Sequence, residues 1–433
     1  MSPAADERSQ QTGEICIAAW QLRPGVHVRL PVPWTEHPFL FNSFVIEDAE
    51  QARLIAALQL PQLFCDPTRC KTPPRSSAAD PAIAAAEKTQ AAELAALAAA
   101  RLAEKHARAQ VMNRFRERLD KAQQHYLGAA RTVGGAIKGF SVNPHAAIQQ
   151  IFEVSEQSTT ALLADPDSAI VLIAEKARDE GQAAHSLSVM TLSLLLGRQA
   201  RLPEQALRAL GIGALLHDIG KQLISPSILR NSERNRHEEA IYQTHCRGGF
   251  EAATRAGKLA QPMLDAILYH HERCDGSGFP ERLSGNAIPL AARVVAIADR
   301  FDKLVNPLDS RRALSPFEAL AWLWGKEQKA FDALLLQLFV RAMGVYPPGS
   351  IVQLSDGGVG AVLSGAPAGK PLCPQVIVYA PEVPRRQAII IDLANDDQVS
   401  IARSLRLQDR PAEELDYLLP RRKLSWSWLA EQP

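Results

Sequence analysis

Five histidines and two aspartates recur at nearly even intervals in the middle of this chain. Successive groups lie 25–32 residues apart, which is about the length of one helix of 15–18 residues with its return loop. Antiparallel helices of that length bring their ligands to the same depth of a bundle. The spacing therefore predicts a helical bundle with seven metal ligands at its centre. These are His185, His217, Asp218, His245, His270, His271 and Asp299.

The ligand types and their order predict a two-metal phosphohydrolase. Imidazole and carboxylate without thiolate suit iron, manganese, zinc or similar cations. Because Asp218 directly follows His217 in LLHDIGK, one of the two can bind a single ion while the other bridges two. Two ions about 3.5–4 Å apart would hold a phosphate and activate a water as nucleophile. A lone histidine on an apolar helix is more often structural, and the histidines outside this series are assigned to that class.

Five segments in the same order resemble the HD-GYP family of HD-superfamily phosphohydrolases. They are HSLSVM at 185–190, HDIGK at 217–221, HCRGG at 245–249, HHERCDGSGFP at 270–280 and AARVVAIADRFDKL at 291–304. The family's usual activity is hydrolysis of the bacterial second messenger cyclic di-GMP. The resemblance implies an all-α HD/HD-GYP helical bundle, cyclic di-GMP as substrate, and two divalent metal ions, iron or manganese, with Asp218 bridging them.

The resemblance also implies roles beside the metal ligands. Asp218 and Lys221 are the expected catalytic residues, with Lys221 also near the substrate phosphate. A lysine that interacts with a helix C-terminus is the competing interpretation. Gly276, Gly278 and Phe279 are expected in the active-site wall, which is also a docking surface for diguanylate cyclase domains. Phe279 replaces a tyrosine, and one lost hydrogen bond costs about 0.5–1.5 kcal/mol.

Two departures from the family pattern affect the expected reaction. Members with three metals have a glutamate where this chain has Gly181, and the adjacent Glu180 would project about 100° away on a helix. Two metals are therefore expected. Because three-metal members are associated with carrying the reaction past the linear dinucleotide, the resemblance implies pGpG as the product, with GMP as the alternative. Leu308 replaces an arginine whose loss would cost about 1–3 kcal/mol of substrate binding. Arg311 matches the second basic residue of that segment and is expected to bind substrate, with Lys303 or Arg312 as compensating cations.

Two alternative functions stay open. The changes at Leu308 and Phe279 and the additional terminal regions are compatible with a signalling adaptor that binds cyclic di-GMP or partner domains with little turnover. Another cyclic dinucleotide or nucleotide is a second alternative, because other HD-superfamily enzymes hydrolyse such substrates.

The whole chain predicts a multidomain, mainly α protein. Residues 1–13 are expected to be disordered, and short β-type runs with one helix predict a small N-terminal α/β domain at 14–70. Residues 71–143 contain a Pro- and Ser-rich linker and a long Ala-rich helix. The HD-GYP domain is expected at 144–345. A small β-rich extension, beginning at a YPPG segment, is expected at 346–433.

Several local features refine this division. The Ala-rich helix lacks Gly and Pro before Gly128 and is too long for one small domain, so it is expected to form a homodimer or to lie across the bundle. A solvated connecting helix is the alternative. Ser315, Pro316 and Glu318 predict a capping box, and Pro203 predicts a first helical turn. The aromatic cluster of Trp34, His37 and Phe39 is interpreted as core packing rather than a ligand pocket. The closing segment LDYLLPRRKLSWSWL is interpreted as a surface strand.

Composition argues against several classes of function. A formal net charge of +1 gives no general attraction to nucleic acid or anionic membranes. No apolar run approaches the length of about 18 residues that a membrane helix needs, and MSPAADERSQ is unlike a signal peptide. Cys65 and Cys70 lack a second pair that would predict a zinc site. A cytoplasmic protein without nucleic-acid binding or membrane insertion is expected.

Overall fold

The computed structural model describes residues 13–419 except 34–35, 61, 76–80, 166, 168, 171–180, 368, 386–387 and 397. These residues fall into two compact units, one with those of 1–114 and 382–387 and the other with those of 115–381 and 388–433. The predicted mainly α fold, with a small N-terminal α/β region, a long helix and a β-rich C-terminal region, is confirmed. Among the described helices, none combines the length and the apolar character of a membrane span.

Before the long helix begins, the described residues of the first unit form a four-stranded antiparallel sheet and one α-helix. The strand order is β1-β4-β2-β3, and the core includes Val26, Val28 and Ile55. The Phe39 ring lies 5.0 Å from the Phe44 ring, as core packing requires, whereas Trp34 is outside the described residues. The elements are β1 (Ile15–Ile17), β2 (His27–Arg29), β3 (Ser43–Val45), α1 (Ala49–Ala57) and β4 (Leu63–Cys65).

A single helix of 59 residues, α2 (Pro81–Gly139), follows. It continues through Gly128, so glycine does not end it. In the second unit its Val133 and Ile137 are buried, and Tyr126 Oη donates to the carbonyl of Ala184 at 3.2 Å. This part of the helix therefore packs on the bundle and is not a solvated connector. Pairing of the helix with a second chain stays a prediction.

Nine helices described in the second unit build the bundle. Buried residues lie on all sides of α4, which marks it as a central helix, and it packs against α5, α9 and α11. Helix α8 packs against α5, α7 and α9. The helices are α3 (Pro144–Ala164), α4 (Gly181–Gln199), α5 (Glu204–Leu216), α6 (Pro226–Arg230), α7 (Arg236–Ala256), α8 (Gln261–Tyr269), α9 (Leu290–Val305), α10 (Pro316–Gly325) and α11 (Ala333–Met343).

The caps follow the sequence closely. Ser315 Oγ accepts from the backbone N–H of Glu318, whose carboxylate accepts from the backbone N–H of Ser315 at 3.0 Å, so the predicted capping box is confirmed. Pro203 differs by one residue from the expectation, because it is the N-cap of α5 and stands just before the first turn.

The C-terminal region contains a five-stranded antiparallel sheet in the order β8-β7-β6-β5-β9. The strands are β5 (Ile351–Leu354), β6 (Val359–Ser364), β7 (Gln375–Val378), β8 (Ile390–Asp392) and β9 (Ile401–Leu405). A last helix, α12 (Ala412–Leu418), follows.

The interpretation of the closing segment as a surface strand is wrong for its first residues. Those residues lie in α12, where Pro411 precedes the helix and Glu413 and Glu414 occupy the first turn, an arrangement that the helix dipole favours. Because the prediction started at Leu415, it missed these helix-starting residues. The rest of the closing segment, from residue 420 onward, lies outside the described residues.

A backbone contact between two glycines positions the turn after α5, a short 3-10 helix at Ile219–Leu223. A Cβ on Gly220 would lie 2.6 Å from the backbone nitrogen of Gly249 and would also collide with the carbonyl oxygen of His245. Backbone atoms cannot rotate away as a side chain can. The turn that carries Asp218 can therefore approach α7 only because residue 220 has no side chain.

We expect Gly220→Ala to lower the free energy of unfolding by about 1–3 kcal/mol or more, since the added methyl group overpacks against backbone. Gly248→Ala is the control, because its Cβ would meet only the end of the exposed Leu223 side chain. Urea denaturation of both variants checks this. Equal stability of Gly220→Ala and wild type would contradict it.

Candidate metal centre

The bundle brings the seven predicted ligands together in two groups that share Asp218. The ligand atoms within each group lie within 4.8 Å of one another. One group consists of His185, His217, Asp218 and Asp299, and the other of Asp218, His245, His270 and His271. Helices α4, α7 and α9 carry His185, His245 and Asp299, while His217 and His270 directly follow α5 and α8.

The two carboxylate oxygens of Asp218 face different groups. Oδ2 lies 3.3 Å from His217 Nε2 and 3.5 Å from His185 Nε2. Oδ1 lies 3.4 Å from His245 Nε2 and 3.6 Å from His270 Nε2. A carboxylate placed in this way can offer one oxygen to each of two cations.

Backbone carbonyl oxygens orient three of the histidines. A carbonyl oxygen only accepts, so the Nδ1 atom beside it carries the proton and Nε2 of the neutral ring presents a lone pair to the centre. His217 and His270 are the C-caps of α5 and α8, where carbonyl groups lack helical partners. The pairs are His217 with Ala214 (2.7 Å), His245 with Tyr242 (2.5 Å) and His270 with Ile267 (3.0 Å).

These lone pairs face one another without a proton between them. Burial lowers the pKa of His270 to about 3, so its ring is neutral, and its Nε2 atom lies 3.4 Å from that of His245. Within the described part of the chain, His217 Nε2, Asp218 Oδ1 and His271 Nε2 are buried without a hydrogen-bond partner. Buried acceptors that face each other are costly unless a cation lies among them. The donor set therefore fits metal ions.

Two lysines contact the aspartates. Lys221 Nζ lies 2.5 Å from Asp218 Oδ2, and Lys303 Nζ lies 2.8 Å from Asp299 Oδ2. Burial opposes the ionisation of Asp218, but the positive charge around it, above all the ammonium group of Lys221, holds the pKa of the carboxyl well below its usual value. Helix α5 does not continue to Lys221. The residue lies in the 3-10 turn that follows, and its ammonium group turns back to the carboxylate of Asp218.

The sequence analysis missed Asp302 as the partner of His185. Asp302 Oδ2 accepts from His185 Nδ1 at 2.6 Å and Oδ1 accepts from Asn306 Nδ2 at 2.9 Å. Burial opposes the charged ring, but Asp218, Asp299 and Asp302 outweigh it and raise the pKa of His185 to about 9. Asp302 lies three residues after Asp299 on the same helix, and this spacing in the sequence already indicated that it could lie near the ligands.

The DGSGFP loop packs on the metal ligands. The Phe279 ring stacks on that of His271 at 4.6 Å, and a Cβ on Gly278 would lie 2.5 Å from the carbonyl oxygen of His271. Gly276 has φ +78°, which favours glycine. Glu272 holds the far side of the loop by accepting from the backbone N–H groups of residues 281 and 283 at 2.7 and 2.9 Å. The contacts thus support His271, and a role for the loop toward substrate stays a prediction.

A cavity of about 920 Å³ opens beside one metal group. Its inner side includes His185, Asp218 and Lys221. Leu308 and Arg311 lie at its outer side, where the side chain of Arg311 is 87% exposed and its Nε atom lies 2.9 Å from Asp309 Oδ1. None of the DGSGFP glycines nor Phe279 belongs to the described residues that line this cavity.

Comparison with known proteins identifies two domains. Residues 167–335 match the HD domain family, and residues 14–151 match a domain of unknown function, DUF3391. The chain is 30% identical over 214 residues to the cyclic di-GMP phosphodiesterase PA4108 of Pseudomonas aeruginosa, which covers 49% of this chain and 51% of that protein.

Two further relatives match 166 and 169 residues of the chain. The cyclic di-GMP phosphodiesterase response regulator RpfG of Xanthomonas campestris is 34% identical over 38% of this chain and 44% of its own length. The 3'3'-cGAMP-specific phosphodiesterase 2 of Vibrio cholerae is 37% identical over 39% of this chain and 32% of its own length. The chain thus spans about half of these curated relatives or less. The predicted resemblance to HD-domain phosphohydrolases is confirmed.

We expect Asp302→Asn to weaken metal binding by about 10-fold to 100-fold, because a neutral amide makes the His185 ring a poorer ligand. Asp309→Asn is the matched control, since Asp309 lines the same cavity and its carboxylate pairs with Arg311. Competition with a chelator for Mn(II) measures both affinities. If Asp302→Asn binds Mn(II) as tightly as the control, Asp302 does not support the site.

Proposed function

We propose that this chain, whose residues 167–335 match the HD domain family, is a metal-dependent phosphodiesterase of the HD-GYP type that hydrolyses cyclic di-GMP. The observation that carries the proposal is the division of Asp218 between two histidine groups. Hydrolysis of a phosphodiester requires positive charge near the phosphate oxygens and a correctly positioned nucleophile. Two neighbouring cations provide both. The names of the relatives from Pseudomonas and Xanthomonas support cyclic di-GMP as the substrate.

The seven ligands would hold two divalent ions, iron or manganese. Ions of this kind polarise a phosphate oxygen and lower the pKa of a coordinated water. The protein's own part is to orient the lone pairs through backbone carbonyls and to keep the site buried, since His217, Asp218 and His245 have no exposed surface. Gly181, which lines the cavity, offers no carboxylate for a third ion, and this supports two ions and pGpG as the product.

Lys221 is the protein cation placed to meet the substrate phosphate. Its ammonium group contacts the Asp218 carboxylate and lines the cavity. Lys221 Nζ also lies over the face of the Tyr242 ring, 5.6 Å from its centre. This contact helps to orient the lysine side chain. Lys221 can therefore bind a phosphate oxygen as negative charge develops on it. Arg311, at the outer side of the cavity, is placed to bind a second phosphate.

A related cyclic dinucleotide is the second candidate substrate. The relative from Vibrio cholerae, 37% identical over the matched residues, is named for 3'3'-cGAMP. A panel of cyclic di-GMP, 3'3'-cGAMP and cyclic di-AMP therefore distinguishes the candidates, and binding without product would indicate the adaptor function. Docking of diguanylate cyclase domains stays a prediction.

We expect His217→Ala and Asp218→Ala to lose both bound metal and hydrolysis of cyclic di-GMP. The first change removes a ligand of one group, and the second removes the carboxylate that both groups share. Metal analysis of purified protein supplied with Fe(II) or Mn(II), with chromatography of products, measures the two effects together. His237→Ala is the control, because His237 is exposed on α7 and lies outside both groups. Hydrolysis that survives the loss of Asp218 would overturn the proposal.

We expect Lys221→Met to retain its metal but to lower kcat/KM by about 100-fold, because one cation facing the developing charge is removed. Lys258→Met, an exposed lysine beyond the end of α7, is the control. Steady-state kinetics beside metal analysis separates the two contributions. Wild-type kinetics of Lys221→Met would contradict the catalytic role. Lys221 would then have only the alternative role of interacting with a helix C-terminus.

A further inference from the structure

The outer wall of the active-site cavity comes from a part of the chain that the motifs do not include. The cavity of about 920 Å³ that begins at His185 and Asp218 ends on residues of the C-terminal region. These residues belong to the turn after β9 and to α12. They are Leu407, Gln408, Ala412, Leu415, Asp416 and Leu419.

This wall is attached to the segment that carries the predicted substrate arginine. Gln408 Nε2 donates to the backbone carbonyl of Arg311 and, at 3.3 Å, to that of Ala313. Arg406 Nε lies 3.5 Å from Glu318 Oε1 on α10. Leu407 and Leu419 are 6% and 3% exposed, so the wall is anchored by apolar burial as well. The C-terminal region therefore holds a fixed place above the cavity.

The two sides of the cavity differ in chemistry. The inner side offers the metal ligands and the ammonium groups of Lys221 and Lys303, which suit an anionic phosphodiester. The outer side offers leucine side chains, among them Leu308, which is 72% exposed, beside the polar side chains of Arg311, Gln408 and Asp416. A ligand that matches both sides has a phosphate at its inner end and, at its outer end, a flat ring with an apolar face and a polar edge. A nucleotide with its base directed outward has this form.

We propose that residues 407–419 form the base-binding wall of the substrate site and determine which base it accepts. This inference rests on the proposed hydrolysis of a cyclic dinucleotide. Leu415, with Leu308 from the facing segment, packs against the face of the base. Asp416 accepts from the base edge, where guanine presents two donors, N1–H and the N2 amino group. Adenine has an acceptor at N1, so the carboxylate favours guanine.

Two variants test the two parts of the wall. We expect Leu415→Ala to raise KM for cyclic di-GMP about 10-fold with little change in kcat, because it removes contact made equally with substrate and transition state. We expect Asp416→Asn to lower the ratio of kcat/KM for cyclic di-GMP over 3'3'-cGAMP about 10-fold. Both variants keep the wild-type metal content, because neither side chain belongs to the metal groups.

Glu413→Gln is the matched control, since Glu413 is an exposed carboxylate on the same helix that does not line the cavity. Circular dichroism and metal content are recorded for all three variants. The wild-type protein could cleave cyclic di-GMP while Leu415→Ala and Asp416→Asn both behave like the control. This result would contradict the base-binding role of residues 407–419 and leave the proposed function intact. Wild-type protein that cleaves no cyclic dinucleotide would overturn the function, and the wall with it.

Discussion

Hydrogen bonds from histidine Nδ1 atoms to backbone carbonyls decide which atoms meet at the centre of the bundle. For His217 and His270 the carbonyls belong to the last turns of α5 and α8, where helices leave them without partners. In each case one hydrogen bond gives a partner to a carbonyl at the helix end. The same bond fixes the tautomer of the histidine and directs its Nε2 lone pair to the centre of the bundle. Asp218 can then face two imidazole groups with its two oxygens, and this is the arrangement that the proposed pair of metal sites requires.

This arrangement places ionised groups where water is excluded. Asp218 and Asp299 have no exposed surface, and buried charge is costly unless it is paired. Lys221, Lys303 and the ring of His185 supply positive charge to the two carboxylates. Bound metal ions would compete with the proton of His185, so metal binding would be coupled to proton release and to the stability of the bundle. The close approach of Gly220 to α7 is part of the same coupling, because it brings Asp218 to His245.

The sequence predicted the bundle and the convergence of its ligands because helix length sets the spacing of residues that share a depth. Asp302 shows a limit of that reasoning: its spacing from Asp299 was visible, but only the structure shows that it reaches His185 from the same helix. Lys221 shows another, since the change from α to 3-10 geometry after His217 depends on packing against α7. The wall at 407–419 could not be predicted, because it depends on where a separate sheet and helix pack, and no local pattern contains that information.

The proposed function depends on Asp218, which would bridge two cations held by separate histidine groups. An anomalous diffraction map of crystals of the Mn(II)-loaded protein tests it most directly. The account predicts two peaks about 3.5–4 Å apart, one beside His185, His217 and Asp299 and the other beside His245, His270 and His271, with one oxygen of Asp218 directed at each. A single peak, or two peaks that Asp218 does not connect, would contradict it.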